Sequence, residues 1–459
     1  MRKKIAEETT IFLSVVKWVI ISTFTGAIVG AFTTLFLKLL TWSILEMKLV
    51  PYYFLLIPPV FFLCYITIKK LAPEAMGHGT EKVIEAIHKN NGKIKIAVVP
   101  VKMIATIITL AVGGSAGKEG PCAQIGAGIS SFLADILRFD DTDRKKIVIC
   151  GISAGFASVF GTPIAGAIFG VEVLVVGSML YEVLLPSFVS GIMAFQISSK
   201  LGITYFYHPI SFVPVFSESF FLIIAIAGIF FGLCSFLFIE ILAVVENFSE
   251  KLSSWKIKKE LQTILGGIAV VLLTFIFSTK YLGLGLESVE DLLQGKDIEW
   301  YAFLVKMIFT SITLGYGGSG GIITPIFFIG VSAGNLFAKI WGLDPATFSA
   351  IGMVSLLAGA ANTPIAASIM SIELFGPKIA PYAAVSCVIS FLMTGHRSVY
   401  PSQFIESSKV SSILLHSENE MENVEFSIRP KREGVYKVYM DVKKRFYDNK
   451  KNNNSDQEQ

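Results

Sequence analysis

The sequence has little charge and few histidines. Asp, Glu, Lys and Arg make up only 16% of its 459 residues and there are 5 histidines, whereas 53% of the residues are hydrophobic. A soluble domain carries about a quarter charged residues, so this composition excludes an ordinary cytosolic enzyme and also a disordered chain. The net charge of +4 is small and scattered, which argues against a nucleic-acid partner. The composition indicates a polytopic membrane protein.

The cysteines and histidines form none of the familiar metal-binding or catalytic patterns. The chain contains no CxxC pair and no HExxH motif. All five cysteines lie in or beside apolar runs, so we interpret them as small buried hydrophobic residues. The stretch 114–118 faintly resembles a phosphate loop, but Glu119 stands where that loop carries Ser or Thr. We therefore expect no enzyme activity, no metal site and no cofactor.

Apolar runs recur along the chain as far as residue 395, and only some reach the roughly 20 residues that a helix needs to cross a bilayer. The first, from Ile11 to Leu40, is too long for the core of a signal peptide, so we predict a membrane helix there. Several later runs are short and are interrupted by glycine or proline. Irregular backbone survives at membrane depth only where protein or water satisfies its polar groups, so these runs predict half-helices that meet inside the protein.

The last segment, 416–459, has a different composition and is rich in Lys, Arg, Glu and Asn. Basic clusters near membrane helices mark the cytoplasmic side, so we predict a partly disordered cytoplasmic tail that is too short to form a second domain. The transmembrane domain is expected to span 1–415, with repeat halves at roughly 11–200 and 218–405.

The two halves are predicted from motifs that recur at a nearly fixed offset. Residues 109–126 and 313–330 share the pattern Thr-Leu-x-x-Gly-Gly-Ser-x-Gly-x-x-x-Pro-x-x-x-Ile-Gly. Further on, Thr-Pro-Ile-Ala at 162–165 leads to Glu172, and the same four residues at 363–366 lead to Glu373. Because the order of both motifs is kept, we infer two homologous halves around a pseudo-two-fold axis. The sequence leaves open whether the halves are inverted.

Each half contains a glycine loop followed by the start of a helix, from Gly117 to Pro121 and from Gly321 to Pro325. Helix N-termini have free N–H groups and the positive end of the helix dipole, so they bind anions without Lys or Arg. Proline fits the first helical turn, where its missing N–H costs nothing. Two such ends that converge near the midplane would form an anion site of partial charges, which holds an ion loosely enough to release it.

Four elements resemble the CLC family of chloride channels and chloride/proton exchangers. Gly117-Lys118-Glu119-Gly120-Pro121 resembles the signature of that family, and Gly321-Ile322-Ile323-Thr324-Pro325 resembles its GxFxP element. Gly77-His78-Gly79 lies where the family has its GSGIP-type loop, and Ser398-Val399-Tyr400-Pro401-Ser402-Gln403 resembles its last short helix. The elements occur in family order, with family-like spacing.

The resemblance implies an all-α polytopic fold of two inverted repeats, with half-helices that meet at the midplane. It also implies a homodimer with a separate pore in each subunit, which moves chloride or another small anion, and in the exchangers also protons, across the lipid bilayer. Because the long regulatory tail of other members is missing, we expect the prokaryotic type without CBS domains, in the plasma membrane.

The resemblance also assigns roles to residues. Glu119 is similar to the gating glutamate, whose carboxylate competes with the anion and takes up a proton, and Tyr400 resembles the phenol that donates to the central anion. Backbone amides of Ile322 and Ile323 would complete the central site, those near Gly120 would form the outer site, and Gly77, His78 and Gly79 would line the inner mouth.

The residues give independent support for Glu119 as the gate. An ionisable side chain inside a membrane segment is costly and indicates function. A salt bridge to Lys118 is the structural alternative, but adjacent residues on a helix do not face each other. We expect Lys118 to add positive potential or to extend towards the membrane surface rather than to contact the ion.

The sequence departs from the family pattern at three places. His78 replaces a serine, and this change either alters selectivity and pH dependence or only caps the next helix or faces the cytoplasm. The Ile-Pro that follows in the family is Thr80-Glu81, and Ile323 replaces the phenylalanine of GxFxP. Val173 stands where exchangers usually carry a proton-accepting glutamate.

Two functions therefore remain open. Val173 favours a passive chloride conductor or a weakly coupled exchanger, although some coupled members of the family lack that carboxylate. The alternative is a proton-coupled chloride or fluoride antiporter, and His78 and Ile322 show no clear match to the fluoride branch. Glu172 and Glu373 are expected to bond helix ends or, alternatively, to relay protons.

Overall fold

The computed structural model describes residues 2–210, 218–415, 420–421 and 426–428. Within this part of the chain the fold consists of sixteen α-helices and four very short strands. The first eight helices are α1 Arg2–Lys48, α2 Ile57–Leu71, α3 Thr80–Lys89, α4 Val98–Ala111, α5 Glu119–Ile136, α6 Asp141–Phe160, α7 Pro163–Glu172 and α8 Leu184–Lys200. The second eight are α9 Glu218–Ser254, α10 Lys259–Phe277, α11 Leu286–Leu293, α12 Ala302–Gly315, α13 Ile323–Trp341, α14 Pro345–Ala361, α15 Pro364–Phe375 and α16 Ala380–Met393.

The strands tie the C-terminal segment to the helical body. β1 Val175–Val176 follows α7 and pairs in parallel with β2 Phe404–Ile405. β3 Ile413–Leu415 pairs with β4 Phe426–Ile428 in antiparallel register. Apart from Glu420, Met421 and β4, the predicted tail at 416–459 lies outside the described residues.

The helices fall into two length classes, as the interrupted apolar runs predict. Six of the described helical segments are long and apolar enough to cross a membrane, and the first of them, Lys3–Lys48, contains the predicted helix at 11–40. Helices α3 and α7 have 10 residues each, α11 has 8 and α15 has 12. A full crossing needs about 20 residues, so these four are half-helices.

The two sets of eight helices are related by a local two-fold axis at the glycine loops. The N–H of Gly117 donates to the carbonyl of Gly321, and the N–H of Gly321 donates back to Gly117, both at 2.7 Å. The loops run antiparallel at this contact, as a two-fold relation requires. The matching order of helices in the two sets agrees with the predicted repeats.

Small residues bring the central helices of each repeat into close contact. A Cβ atom added at Gly126 of α5 would lie 2.2 Å from the carbonyl oxygen of Gly151 in α6. The matching pair in the second repeat is Gly330 of α13 and Gly352 of α14, where the distance would be 2.5 Å. Backbones that approach this closely are typical of helix packing in membranes. The pairing fixes where α5 and α13 begin, and both begin at the candidate site.

Candidate functional site

Three helix N-termini meet around the paired glycine loops. Helix α5 begins at Glu119 and α13 begins at Ile323, on either side of the two hydrogen bonds between Gly117 and Gly321. The N-terminus of α3 reaches the same place, because a Cβ atom added at Gly79 would lie 2.4 Å from the carbonyl oxygen of Gly120. Three positive dipole ends therefore converge on one buried region.

The carboxylate of Glu119 lies at the N-terminus of α13. The side chain is completely buried. Its Oε2 accepts a hydrogen bond from the amide of Thr324 at 3.1 Å, and its Oε1 accepts one from the hydroxyl of Thr324. A helix N-terminus is the place where an anion binds without a basic side chain. In this structure the carboxylate of Glu119 fills that place itself.

Gly117 leaves the room that this position of the carboxylate needs. A Cβ atom added at Gly117 would lie 2.4 Å from Oε2 of Glu119 and 3.1 Å from the amide nitrogen of Thr324. Any larger residue at this position would displace the carboxylate or open the loop contact. The glycine of the signature is thus required by the close approach of the carboxylate.

Lys118 immediately precedes α5 and is the neighbour of Glu119. Among the described residues it forms no ion pair with Glu119. Its side chain lines a cavity of about 690 Å³ together with Lys38, Lys48 and Lys280. Lys48 and Lys280 are paired with Glu287 and Glu299. A cavity lined by several lysines raises the local concentration of anions, which agrees with the expectation that Lys118 supplies potential and does not contact the ion.

The region predicted to form the inner mouth contains buried polar atoms that have no hydrogen-bond partner among the described residues. They are Nδ1 of His78, Oγ1 of Thr80, Oε2 of Glu81 and the hydroxyl of Tyr400. Tyr400 is 1% exposed, and its hydroxyl faces Thr80 and lies within electrostatic range of both Glu119 and Glu81. Buried polar atoms are normally satisfied, so a cluster of unsatisfied ones indicates a place for a ligand.

A network of side-chain amides and hydroxyls holds Tyr400 in place. The amide of Tyr400 donates to Oγ of Ser398 at 3.0 Å, and that hydroxyl donates to Oε1 of Gln403 at 2.6 Å. The side-chain amide of Gln403 donates to the carbonyls of Val173 and Ala361 at 2.8 and 2.9 Å. Because Val173 and Ala361 lie at the ends of α7 and α14, the network ties the backbone at Tyr400 to two helices.

His78 is buried, and the structure bears on its two interpretations. Its imidazole faces the backbone of Val399. The residue before α3 is Gly79, and no side chain caps that helix. The ring therefore neither caps α3 nor is exposed to solvent, and its effect on the ion stays a prediction.

The amides of Ile322 and Ile323, which the resemblance assigns to the central anion, lie at the start of α13, and both residues are buried. Their role towards an anion stays a prediction. The next residue, Thr324, donates its amide and its hydroxyl to the carboxylate of Glu119. Pro325 follows in the first turn, and Pro121 has the same place in α5.

A buried lysine in each repeat was missed by the sequence analysis. Nζ of Lys102 in α4 donates to the carbonyls of Ala75 and Gly77, at 3.1 and 2.6 Å, and so orders the loop before α3. Nζ of Lys306 in α12 holds the loop before α11 in the same way. The signal was present, because each lysine stands in the tripeptide Val-Lys-Met inside an apolar run of its repeat.

Glu172 of the first repeat caps a helix of the second repeat, and Glu373 of the second repeat caps a helix of the first. The carboxylate of Glu172 accepts from the amides of Ile365 and Ala366 at the start of α15, at 3.0 and 2.8 Å. The carboxylate of Glu373 accepts from Ile164 and Ala165 at the start of α7, at the same two distances. Both oxygens of each carboxylate are thus bonded to helix N-termini, an arrangement that favours the structural alternative over the proton relay.

Comparison with known proteins agrees with this geometry. The family described as voltage gated chloride channel matches residues 60–395. A chloride/fluoride channel protein from Pseudomonas syringae pv. tomato is 35% identical, and the match covers 88% of this chain and 90% of that protein.

Solved structures match over a similar length. The crystal structure of a CLC-type fluoride/proton antiporter superposes with a TM-score of 0.81 at 27% identity, and the match covers 85% of this chain and 98% of that one. A slow cyanobacterial Cl⁻/H⁺ antiporter superposes with a TM-score of 0.70 at 19% identity, over 83% of this chain and 94% of that one. This second likeness concerns the fold alone.

Proposed function

The chain belongs to the voltage gated chloride channel family, the CLC family, and on that premise we propose that it transports small anions across the membrane with Glu119 as the gate. The observation that carries the proposal is the position of the Glu119 carboxylate. It accepts the amide and the hydroxyl of Thr324 at the N-terminus of α13, where a transported anion would bind.

The gate follows from competition between two anions for one helix N-terminus. While Glu119 is ionised, its carboxylate satisfies the amide of Thr324 and excludes chloride or fluoride. A proton removes the charge, so the helix dipole no longer favours the side chain over a free anion. The carboxyl group then leaves and the anion takes its place. Tyr400, Thr80 and His78 supply unsatisfied polar groups for the ion on its way to the inner mouth.

Passive conduction and proton-coupled exchange are both supported. Val173 is completely buried and supplies only its carbonyl to Gln403, so no carboxylate stands at that position. This favours passive chloride conduction. The similarity to a fluoride/proton antiporter with a TM-score of 0.81 favours coupling. It also supports fluoride, which the sequence analysis kept as an alternative, as a candidate substrate beside chloride.

A flux assay on the purified protein in liposomes separates these two functions. Efflux of chloride and of fluoride is measured with ion-selective electrodes while external pH is recorded. Uphill proton movement driven by a gradient of either anion establishes exchange, and anion efflux without it establishes passive conduction. Liposomes that release neither anion would overturn the proposal of anion transport itself.

We further propose a homodimer with one pore in each subunit, located in the cell membrane with the C-terminal tail in the cytoplasm. Family membership supports the dimer, and so do the exposed, repeat-related side chains of Ile164 and Ile365 at 44% and 49% exposure. Light scattering of the detergent complex tests the dimer, and protease access to a C-terminal tag in intact cells tests the orientation. Because the family consists of channels and transporters, we assign no enzymatic activity.

A further inference from the structure

The carboxylate of Glu81, at the inner mouth, takes no part in the gating mechanism proposed above. Glu81 is the second residue of α3, which starts beside the glycine loops. Its Oε1 accepts two hydrogen bonds from Ser402, one from the amide at 3.0 Å and one from the hydroxyl at 2.5 Å. Its Oε2 is buried and has no partner among the described residues. The carboxyl group is therefore held by one oxygen, and its other oxygen is open to a proton.

We propose that Glu81 is the proton-binding residue of the inner mouth, which exchanges protons with Glu119 during coupled anion transport. This inference rests on the proposed function. Glu81 on α3 would supply the proton-accepting carboxylate that exchangers usually carry at the position of Val173.

The other buried carboxylates are less suited to this role. Both oxygens of Glu172 and both oxygens of Glu373 accept backbone amides at helix N-termini. Hydrogen bonds to the charged form favour that form, so a proton on either residue would weaken a helix cap. Glu81 can gain a proton on Oε2 without losing either bond to Ser402.

The groups around Glu81 leave its charge without a direct partner. On α3, Lys82 is paired with Glu85 at 2.6 Å. Nζ of Lys102 in α4 donates its hydrogen bonds to the carbonyls of Ala75 and Gly77. The C-terminal segment contributes the hydroxyls of Tyr400 and Ser402 to this region. The loop before α3 contributes the ring of His78, and α5 contributes Glu119. Among the described ion pairs none includes Glu81.

The hydroxyl of Tyr400 interacts electrostatically with both carboxylates. The phenol of Tyr400 is within electrostatic range of both Glu81 and Glu119, and it faces the hydroxyl of Thr80. Neither hydroxyl has a hydrogen-bond partner among the described residues. A hydroxyl donates one hydrogen bond and accepts others, so it can pass a proton on. Each transfer breaks one O–H bond and forms one, and no other bond changes.

The test compares variants of α3 in the same liposome assay. Glu81→Gln keeps an oxygen that accepts from Ser402 but cannot carry a proton. We expect it to move anions while anion-driven proton uptake falls by about tenfold or more, since a positioned proton-transfer group contributes at least that much. Glu85→Gln is the matched control one turn further along α3, and its ratio of protons to anions should equal that of the wild type.

A second variant separates proton transfer from a structural role. Glu81→Asp keeps a titratable carboxyl group, so it should restore part of the coupling that Glu81→Gln loses. If both variants lose coupling equally, Glu81 is structural and the inference is wrong. Unchanged coupling in Glu81→Gln also overturns it, and so does a wild-type protein that moves anions without protons. That last result leaves anion transport intact, whereas wild-type liposomes without any anion flux would refute the proposed function.

Discussion

The hydroxyl of Thr324 gives the sharpest test of how the gate is held. It donates to one oxygen of Glu119 while the amide of the same residue donates to the other at 3.1 Å. Thr324→Val removes the hydroxyl and keeps both the amide and the shape of the side chain. The ionised carboxylate then loses one of its two bonds at the start of α13.

The size of the effect follows from the charge on the acceptor. A hydrogen bond to a charged group is worth about 1.5–3 kcal/mol. A tenfold change in a proton equilibrium corresponds to about 1.36 kcal/mol, so the loss amounts to about one to two pH units. Because the bond stabilises the ionised, closed gate, its removal makes protonation easier. The pH at which anion flux is half-maximal should therefore move upward by that amount.

The assay is anion efflux from liposomes across a series of pH values. Thr274→Val is the matched control, since Thr274 is also buried and its hydroxyl donates only to the carbonyl of Val270 in its own helix. The control should leave the pH profile in place. A Thr324→Val protein that folds normally and keeps the wild-type profile would refute the idea that this hydroxyl holds the gate closed.

Three further predictions concern the same site. Glu119→Ala should remove the pH dependence of anion flux while flux itself persists, and a pH profile like that of the wild type would remove Glu119 from the gate. Tyr400→Phe should weaken anion binding about fivefold in calorimetry, the value of one hydrogen bond of about 1 kcal/mol, and unaltered affinity would count against its role. Lys102→Met leaves the buried carbonyls of Ala75 and Gly77 without their donor, so the temperature of thermal unfolding should fall, each unsatisfied group costing about 1–3 kcal/mol. An unfolding temperature equal to that of the wild type would show that the loop before α3 does not depend on this lysine.

The repeat and the gate could be predicted from the sequence because short motifs indicate both of them. The glycine loop from Gly117 to Pro121 predicts a helix start wherever the rest of the chain goes, and a carboxylate beside it in an apolar run is costly enough to indicate function. The half-helices follow from apolar runs that are too short to cross a bilayer. These features need no knowledge of which segments meet in space.

The partners of these residues could not be predicted because they come from distant segments. The bond between Glu119 and Thr324 depends on the antiparallel contact of the two loops and on the rotamer of Glu119, and neither is encoded in a short motif. In the sequence, Glu81 is only a departure from a family pattern. Its hydrogen bond with Ser402 and its interaction with Tyr400, which the structure provides, indicate a position at the inner mouth. Lys102 is different, because the matching Val-Lys-Met in each repeat was available as a signal.

The shortage of charge in the sequence has a counterpart in the site. Partial charges of helix N-termini and hydroxyl groups surround the candidate anion path, and the ionised groups near it are few and individually placed. The carboxylate of Glu119 lies at the N-terminus of α13, and Lys102 donates to the loop before α3. Glu172 and Glu373 cap the helices α15 and α7. A single proton can therefore change the electrostatics of the whole region.

The central claim is that the carboxylate of Glu119 and the transported anion compete for the N-terminus of α13. Calorimetric titration of chloride and of fluoride into the purified protein at several pH values tests it most directly. The account predicts that affinity for the transported anion rises as pH falls in the wild type, and that Glu119→Gln binds it tightly at every pH. Affinity in the wild type that does not change with pH would contradict the account.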